Sequence, residues 1–328
     1  MSRRAERAPR RGGTWHAVAK GLFVRLTTSV LVIWGAITAS FAGLHLAEGR
    51  VEDALIGTSV VTPEVRAQIV AEYRLDRPLI VQYGSYLGQV LSGNLGHSYQ
   101  RRESVVSAIG SQLGASLTLA VTGMGLALVL ATVLALATAG RSRWIRGLVS
   151  GLEITGTSVP MFWLGVLLLT VFSFQLGWFP AAGSEGTGSL VLPAVTLALP
   201  VAALLSQVMR EGLERVLAEP FVLTARSRGL SDPAVRLRHA LRHALLPVVT
   251  LAGWLFGMLL GSMVVIEKVF SREGIGGLML GAVESKDVPL VMGIVLVSAF
   301  VYVVVNTLLD LLYPIIDPRL RASGGSVA

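Results

Sequence analysis

The 328-residue chain has no cysteine, which excludes disulfides and thiolate metal centres. It is also poor in charge. Only 15% of its residues are charged and 53% are hydrophobic, with a mean hydropathy of +0.67, whereas a soluble domain carries about a quarter charged residues. Lysine is nearly absent. Lys20, Lys268 and Lys286 are the three in the chain, and none lies in the Gly and Ser/Thr setting of a phosphate-binding loop. Gly274, Gly276 and Gly277 are too few to build one. The chain therefore reads as a non-enzyme, with no cofactor or ATP site of its own and no converging nucleophile, base and metal set. His239 and His243 have i, i+4 spacing but lack an intervening Glu and a third ligand. They read as solvated or packing histidines rather than zinc ligands.

What is present instead is long apolar sequence. A membrane-crossing helix needs roughly 20 apolar residues, each rising about 1.5 Å. Six windows meet this, about 26–46, 115–139, 154–176, 190–209, 246–266 and 288–309, and none contains a charge. The expected fold class is an all-α polytopic membrane protein. Pro160, Pro193 and Pro200 fall within these windows, either kinking helices around a pathway or following ordinary curvature. The first window is longer than a signal peptide's apolar region and has no convincing cleavage site after it. Residues 1–25 thus read as a disordered basic tail and 26–46 as a retained first span.

The net charge is +8. Its basic residues lie between apolar runs, which fits a lipid bilayer with an anionic surface and excludes nucleic acid as the natural partner. The 140–152 loop carries Arg141, Arg143 and Arg146 without an acid, and the 177–189 loop has no basic residue. By the positive-inside rule, both termini, the 140–152 loop and the 210–245 loop lie in the cytoplasm.

Two loops are too long for simple connectors. The first forms an extracytoplasmic helical insert at 47–112. Within it, Thr62 can cap a helix beginning at Pro63, and Asp76-Arg77-Pro78 begins another that carries Leu79, Ile80, Tyr83, Tyr86, Leu87 and Val90 at helical spacing. A docking surface for an outside partner and a packing lid over the bundle both fit. In the second loop, 210–245, Pro220 opens a helix that ends at Gly229, and Ser231 or Asp232 caps another from Pro233 with an apolar stripe at Leu237, Ala240, Leu241, Ala244 and Leu245. This amphipathic pair fits either a knob for a cytoplasmic partner or a pair lying on the lipid surface.

Thr224-Ala225-Arg226-Ser227-Arg228-Gly229-Leu230, followed by Arg238-His239-Ala240-Leu241-Arg242 and Leu246-Pro247, resembles the EAA-type loop of ABC-importer permeases. It is most similar to the form in dipeptide, oligopeptide and nickel permeases. Leu75-Asp76-Arg77-Pro78, Gly93-Asn94-Leu95-Gly96, Leu176-Gly177-Trp178-Phe179-Pro180, Glu267-Lys268-Val269-Phe270-Ser271 with Gly274-Ile275-Gly276, and Asp310-Leu311-Leu312-Tyr313 with Asp317-Pro318-Arg319 resemble that family in the same order. Three stretches depart from its pattern. Residues 44–49 read Leu-His-Leu-Ala-Glu-Gly where the family often has a Leu-Pro-Gly-Asp-Pro-like run, the first EAA position is not acidic, and Arg242 stands at the general pattern's proline.

The resemblance implies a type I ABC-importer permease in a bacterial inner membrane, with a permease core at 113–317 and a short cytoplasmic tail at 318–328. It also implies a second homologous permease, two ATP-binding subunits or one fused ATPase that bind ATP and Mg, and an extracytoplasmic substrate-binding protein. Thr224, Ala225, Arg228, Gly229, Leu230 and Asp232 would form the ATPase-coupling loop. Peptides are the expected cargo, with nickel chelates or another small solute as the alternative. An ATPase-independent secondary transporter is disfavoured, because no set of intramembrane ion-coupling charges or clear inverted repeat is visible.

Two further sets stand out. Gly253, Gly257 and Gly261 recur every four residues in the fifth window, a spacing that lets a neighbouring helix approach closely. Contact with a partner helix is the favoured reading; local packing within the bundle is the alternative. Asn306 and Asp310 share a face near the end of the sixth window. They are candidates for a gate or pathway contact, or for an interfacial structural hydrogen bond.

Overall fold

A computed structural model describes residues 13–46, 62–72 and 75–316. In chain order the helices are α1 (Gly13–Leu46), α2 (Pro63–Glu72), α3 (Leu79–Leu91), α4 (Val105–Thr138), α5 (Arg143–Ser158), α6 (Met161–Leu168), α7 (Gly188–Leu217), α8 (Pro220–Ser227), α9 (Asp232–Val235), α10 (Leu241–Val269), α11 (Ile275–Glu284) and α12 (Val288–Ile316). Two π-helical stretches join this set. Leu169–Gln175 extends α6, and Arg236–Ala240 carries α9 directly into α10.

Among the described residues, five helices are long and apolar enough to cross a membrane: α1 from Phe23, α4, α7, α10 and α12 to Tyr313. The third window, 154–176, is not one straight helix. It falls across α5 and α6, which meet at 103° where Pro160 interrupts the ladder, so the spans number six only when this bent pair is counted as one. Pro193 and Pro200 instead sit inside the continuous α7, and Pro247 inside α10.

Helix α7 is the axis of the bundle, with 61% of its most apolar window buried, against 6% for α1. It packs along α4, where Ala120, Ala127, Ala131 and Ala135 form a fully buried small-residue stripe. At Gly123 an added Cβ would lie 3.2 Å from Leu197, so glycine lets the two backbones come close. Helix α4 begins where Ser104 accepts a hydrogen bond from the Ser107 N–H at 3.1 Å.

Three expected boundaries move. The tail assigned to 1–25 is helical from Gly13, because α1 continues the first span towards the terminus. Helix α4 starts at Val105, within the stretch assigned to the insert. The second corner helix does not stop before the fifth span, because the π-helical stretch makes it continuous with α10. The remainder of the two tails, residues 1–12 and 317–328, and residues 47–61 of the insert lie outside the described residues.

The insert folds as its periodicity indicates. Gly93 and Gly96, at φ of +78° and +80°, turn the chain after α3. Tyr83, Tyr86 and Leu87 pack against Ile37, Val288 and Met292, fastening α3 to α1 and α12. Leu79 and Ile80 remain exposed. The Tyr86 hydroxyl has no hydrogen-bond partner among the described residues, and burial pushes its pKa up to about 12. At the start of α2, hydrogen bonds from the Glu64 backbone N–H and the Thr62 side chain hold the Glu64 carboxyl below its ordinary value.

Candidate functional site

The α8–α9 corner is built by local rules. Pro220 stands in the first turn of α8, where its missing N–H costs nothing. Gly229 turns the chain at φ +83°, and an added Cβ there would touch nothing within 4 Å. The constraint is therefore backbone conformation, which disfavours any L side chain. The Gly229 N–H donates to the Arg226 carbonyl at 2.9 Å, and the Leu230 N–H to the Ala225 carbonyl at 3.3 Å, closing the helix end. Val222, Ala225 and Val235 bury against one another with Leu217 and Leu230 alongside. This small core fixes the angle of the corner.

The predicted loop residues divide between its two sides. Thr224, Arg228, Gly229 and Asp232 are exposed, together with Phe221 and Leu223, whereas Ala225 is buried and Leu230 half-buried. Ala225 thus holds the corner from inside and presents little surface of its own. Ser231 occupies the cap position of α9 without a side-chain hydrogen bond. Asp232 reaches back to Arg226 at 3.0 Å instead of capping the helix. Of the apolar stripe, Ala240 and Ala244 join the main core while Leu237 is exposed.

The glycine stripe is used within the chain. A Cβ at Gly253 would lie 2.8 Å from the Asn306 Oδ1, and one at Gly257 would lie 2.8 Å from the Tyr302 ring. Both glycines therefore serve α10–α12 packing, not the partner-helix contact expected of them. Gly261 is different: nothing lies within 4 Å of its added Cβ. It borders an apolar cavity of about 390 Å³ between α1, α4, α10, α11 and α12. Asn306 donates to the Tyr302 carbonyl at 3.0 Å. Asp310 pairs with Arg25 of α1 at 3.3 Å, which supports the structural alternative for this residue.

Three buried acids were absent from the sequence-based candidates. Glu153 of α5, 2% exposed, accepts two hydrogen bonds from Arg210 of α7, at 2.7 and 2.6 Å, and one from Ser206 at 2.6 Å. Further along the same helices Arg146 pairs with Glu214 at 3.2 Å. Glu267 ends α10 and accepts from the Ser116 hydroxyl at 2.6 Å and the Gly277 N–H at 3.0 Å. Asp287 accepts from the Ser98 hydroxyl and from the Gln100 and Leu290 N–H groups. Each acid directly abuts an apolar window. That position was the available signal, but each acid also has a partner far along the chain: Arg210, Ser116 and Ser98 respectively.

Among the described residues, no group of three His, Cys, Asp or Glu is placed to hold a metal. Beyond Glu267, Arg272 is mostly buried and donates weakly to Ser189 at 3.4 Å. Desolvation lowers its pKa, against the opposing pull of the Glu267 carboxylate.

Residues 123–322 match the family described as binding-protein-dependent transport system inner membrane component. The chain belongs to that family. This permease is 37% identical over 286 residues to the glutathione transport system permease protein GsiC of Salmonella typhimurium (strain LT2), covering 86% of the chain and 92% of the relative. It is 36% identical over 267 residues to GsiC of Escherichia coli (strain K12), covering 80% and 87%. Among solved structures it is similar to the MetNI methionine ABC transporter in an inward-facing conformation, at TM-score 0.49 and 16% identity over 62% of this chain and 91% of that one. An amino acid ABC transporter with histidines gives TM-score 0.47 and 18% identity over 63% and 92%. The permease is therefore a multi-pass inner-membrane transport subunit of an ABC importer.

Proposed function

We propose that the permease forms one half of an import path for short peptides. A second homologous permease supplies the other half, and an extracytoplasmic binding protein delivers the cargo. Two ATP-binding subunits, or one fused ATPase, hydrolyse Mg-ATP beneath the pair and act on the α8–α9 corner. Both termini and the corner face the cytoplasm in this reading, as the arginine distribution favours. Glutathione, the cargo for which the relatives are named, is itself peptide-like, which supports peptides over metal chelates.

The observation that carries the coupling assignment is the form of the corner. Phe221, Leu223 and Thr224 are exposed on a helix whose opposite side is packed by Val222 and Ala225. Such a rigid knob transmits a push instead of absorbing it. Phe221 also approaches His243 at the base of α10, with ring centroids 6.3 Å apart, giving the push a direct route into a spanning helix.

Gly229→Asp tests this reading. The substitution places a charged side chain at φ +83° on an exposed point of the corner. Uptake of labelled dipeptide or glutathione by cells should fall to background, while the variant reaches the membrane at normal abundance. Normal uptake in that variant would contradict the assignment.

A further inference from the structure

The acid at the end of α10 does more than terminate a span. Glu267 is 1% exposed, and its surroundings are arranged around its carboxylate. The Ser116 hydroxyl of α4 donates to it at 2.6 Å, and the same serine oxygen accepts the Ile275 N–H of α11 at 2.8 Å. The Gly277 N–H of α11 donates to the second carboxylate oxygen at 3.0 Å. Room for the carboxylate exists because the neighbours lack side chains. A Cβ at Gly274 would lie 2.1 Å from Glu267 Oε1, and one at Gly276 would lie 2.6 Å from Val264 backbone atoms and 2.9 Å from Glu267 Oε2. The Gly-Ile-Gly-Gly run is thus the seat of an acid, and through Ser116 that acid ties together α4, α10 and α11.

The helix so fastened borders the apolar cavity beside Gly261. Ile275, Gly276 and Met279 line it together with Ser116 and Gly261. After α11, the Asp287 N–H donates to the Ala282 carbonyl at 2.8 Å. The Asp287 carboxylate accepts from Ser98 and from the Gln100 N–H, which belong to the insert. Helix α11 is therefore pinned at its start to the spanning bundle and just beyond its end to the insert, each time through a buried acid.

We infer that Glu267 is a positioning residue for transport, holding α11 as the closure over the insert end of the cavity. The Asp287–Ser98 link joins that closure to the insert. This inference rests on the importer reading for its role in transport, but the closure itself does not depend on which companions drive it. Loss of the Glu267 contacts frees the start of α11 and opens the cavity. Glu267 does not touch cargo, because its oxygens are already engaged.

The cysteine-free chain allows a direct test in the complete importer purified in a mild detergent and returned to lipid. A single cysteine is introduced as Met279→Cys on α11 and its labelling by a membrane-impermeant thiol reagent is timed without cargo or nucleotide. Glu267→Gln and Ser116→Ala should each speed labelling about tenfold, as expected for losing one charge-assisted hydrogen bond. A control cysteine at the exposed Leu148 of α5 should label at an unchanged rate. If Glu267→Gln does not assemble, Ser116→Ala carries the test alone, since it deletes a single hydroxyl. Unchanged labelling at position 279 in the assembled variants overturns the closure.

Uptake by the Ser116→Ala importer should show a lowered maximal rate with an unchanged KM. A raised KM at an unchanged maximal rate would put the site in contact with cargo and overturn the positioning role. If the unsubstituted importer took up no peptide with ATP, the importer reading would fail, and the labelling result would still stand or fall by itself.

Discussion

At the scale of single residues, the strongest constraints are side chains that have lost water. Arg210 and Glu153 satisfy one another in a nearly closed space. Removing one partner leaves an uncompensated buried charge, which costs about 3–5 kcal/mol. Glu153→Ala should therefore markedly lower the detergent-solubilised unfolding temperature, and Glu153→Met with Arg210→Met should recover most of the loss. Gly257→Leu should destabilise by overpacking against Tyr302, by about 1–3 kcal/mol. Because burial keeps the Tyr86 hydroxyl neutral, stability falls as pH rises from about 10, where the unfolded tyrosine ionises, to its folded value of about 12. Thermal scans should show Tyr86→Phe losing less stability than the parent above pH 10. The glycine stripe was legible in the sequence, but its neighbours were not, because spacing marks a close approach without identifying the approaching helix. Glu153, Glu267 and Asp287 looked like window ends for the same reason: each is satisfied in part by residues distant along the chain.

At the scale of elements, apolar length predicted the long helices well, since hydrocarbon thickness sets that length directly. The failures occur where the helical ladder changes pitch. The α5–α6 bend and the two π-helical stretches leave no periodic signature, because an i→i+5 turn changes the register without changing composition. The corner was legible because proline and glycine each mark one backbone geometry. Its internal core, which takes up Ala225, was not. The Arg226–Asp232 pair is exposed and is worth at most about 1 kcal/mol, whereas forcing Ala into the turn at Gly229 costs about 1–2 kcal/mol. Gly229→Ala should accordingly reduce peptide uptake more than Asp232→Asn, as measured by initial rates in cells with matched membrane abundance.

At the scale of the whole molecule, charge and burial divide the bundle between two tasks. Helix α7 is enclosed and is clamped to α5 near the corner by the Glu153–Arg210 and Arg146–Glu214 pairs. Helix α1 leaves most of its surface open, where lipid and the second permease are its proposed neighbours. A push on α8 thus meets a braced lever before it reaches the cavity bordered by α11. The most direct test of that arrangement is Thr224→Cys in native membranes, cross-linked with a short bifunctional thiol-to-amine reagent and followed by mass spectrometry of the adduct. The predicted result is a single major product joining the permease to an ATP-binding subunit, changing in yield when ATP is added. If uptake stayed intact and Thr224→Cys gave no protein adduct, labelling only with lipid-phase reagents, the corner would lie on the bilayer and the coupling role would be contradicted.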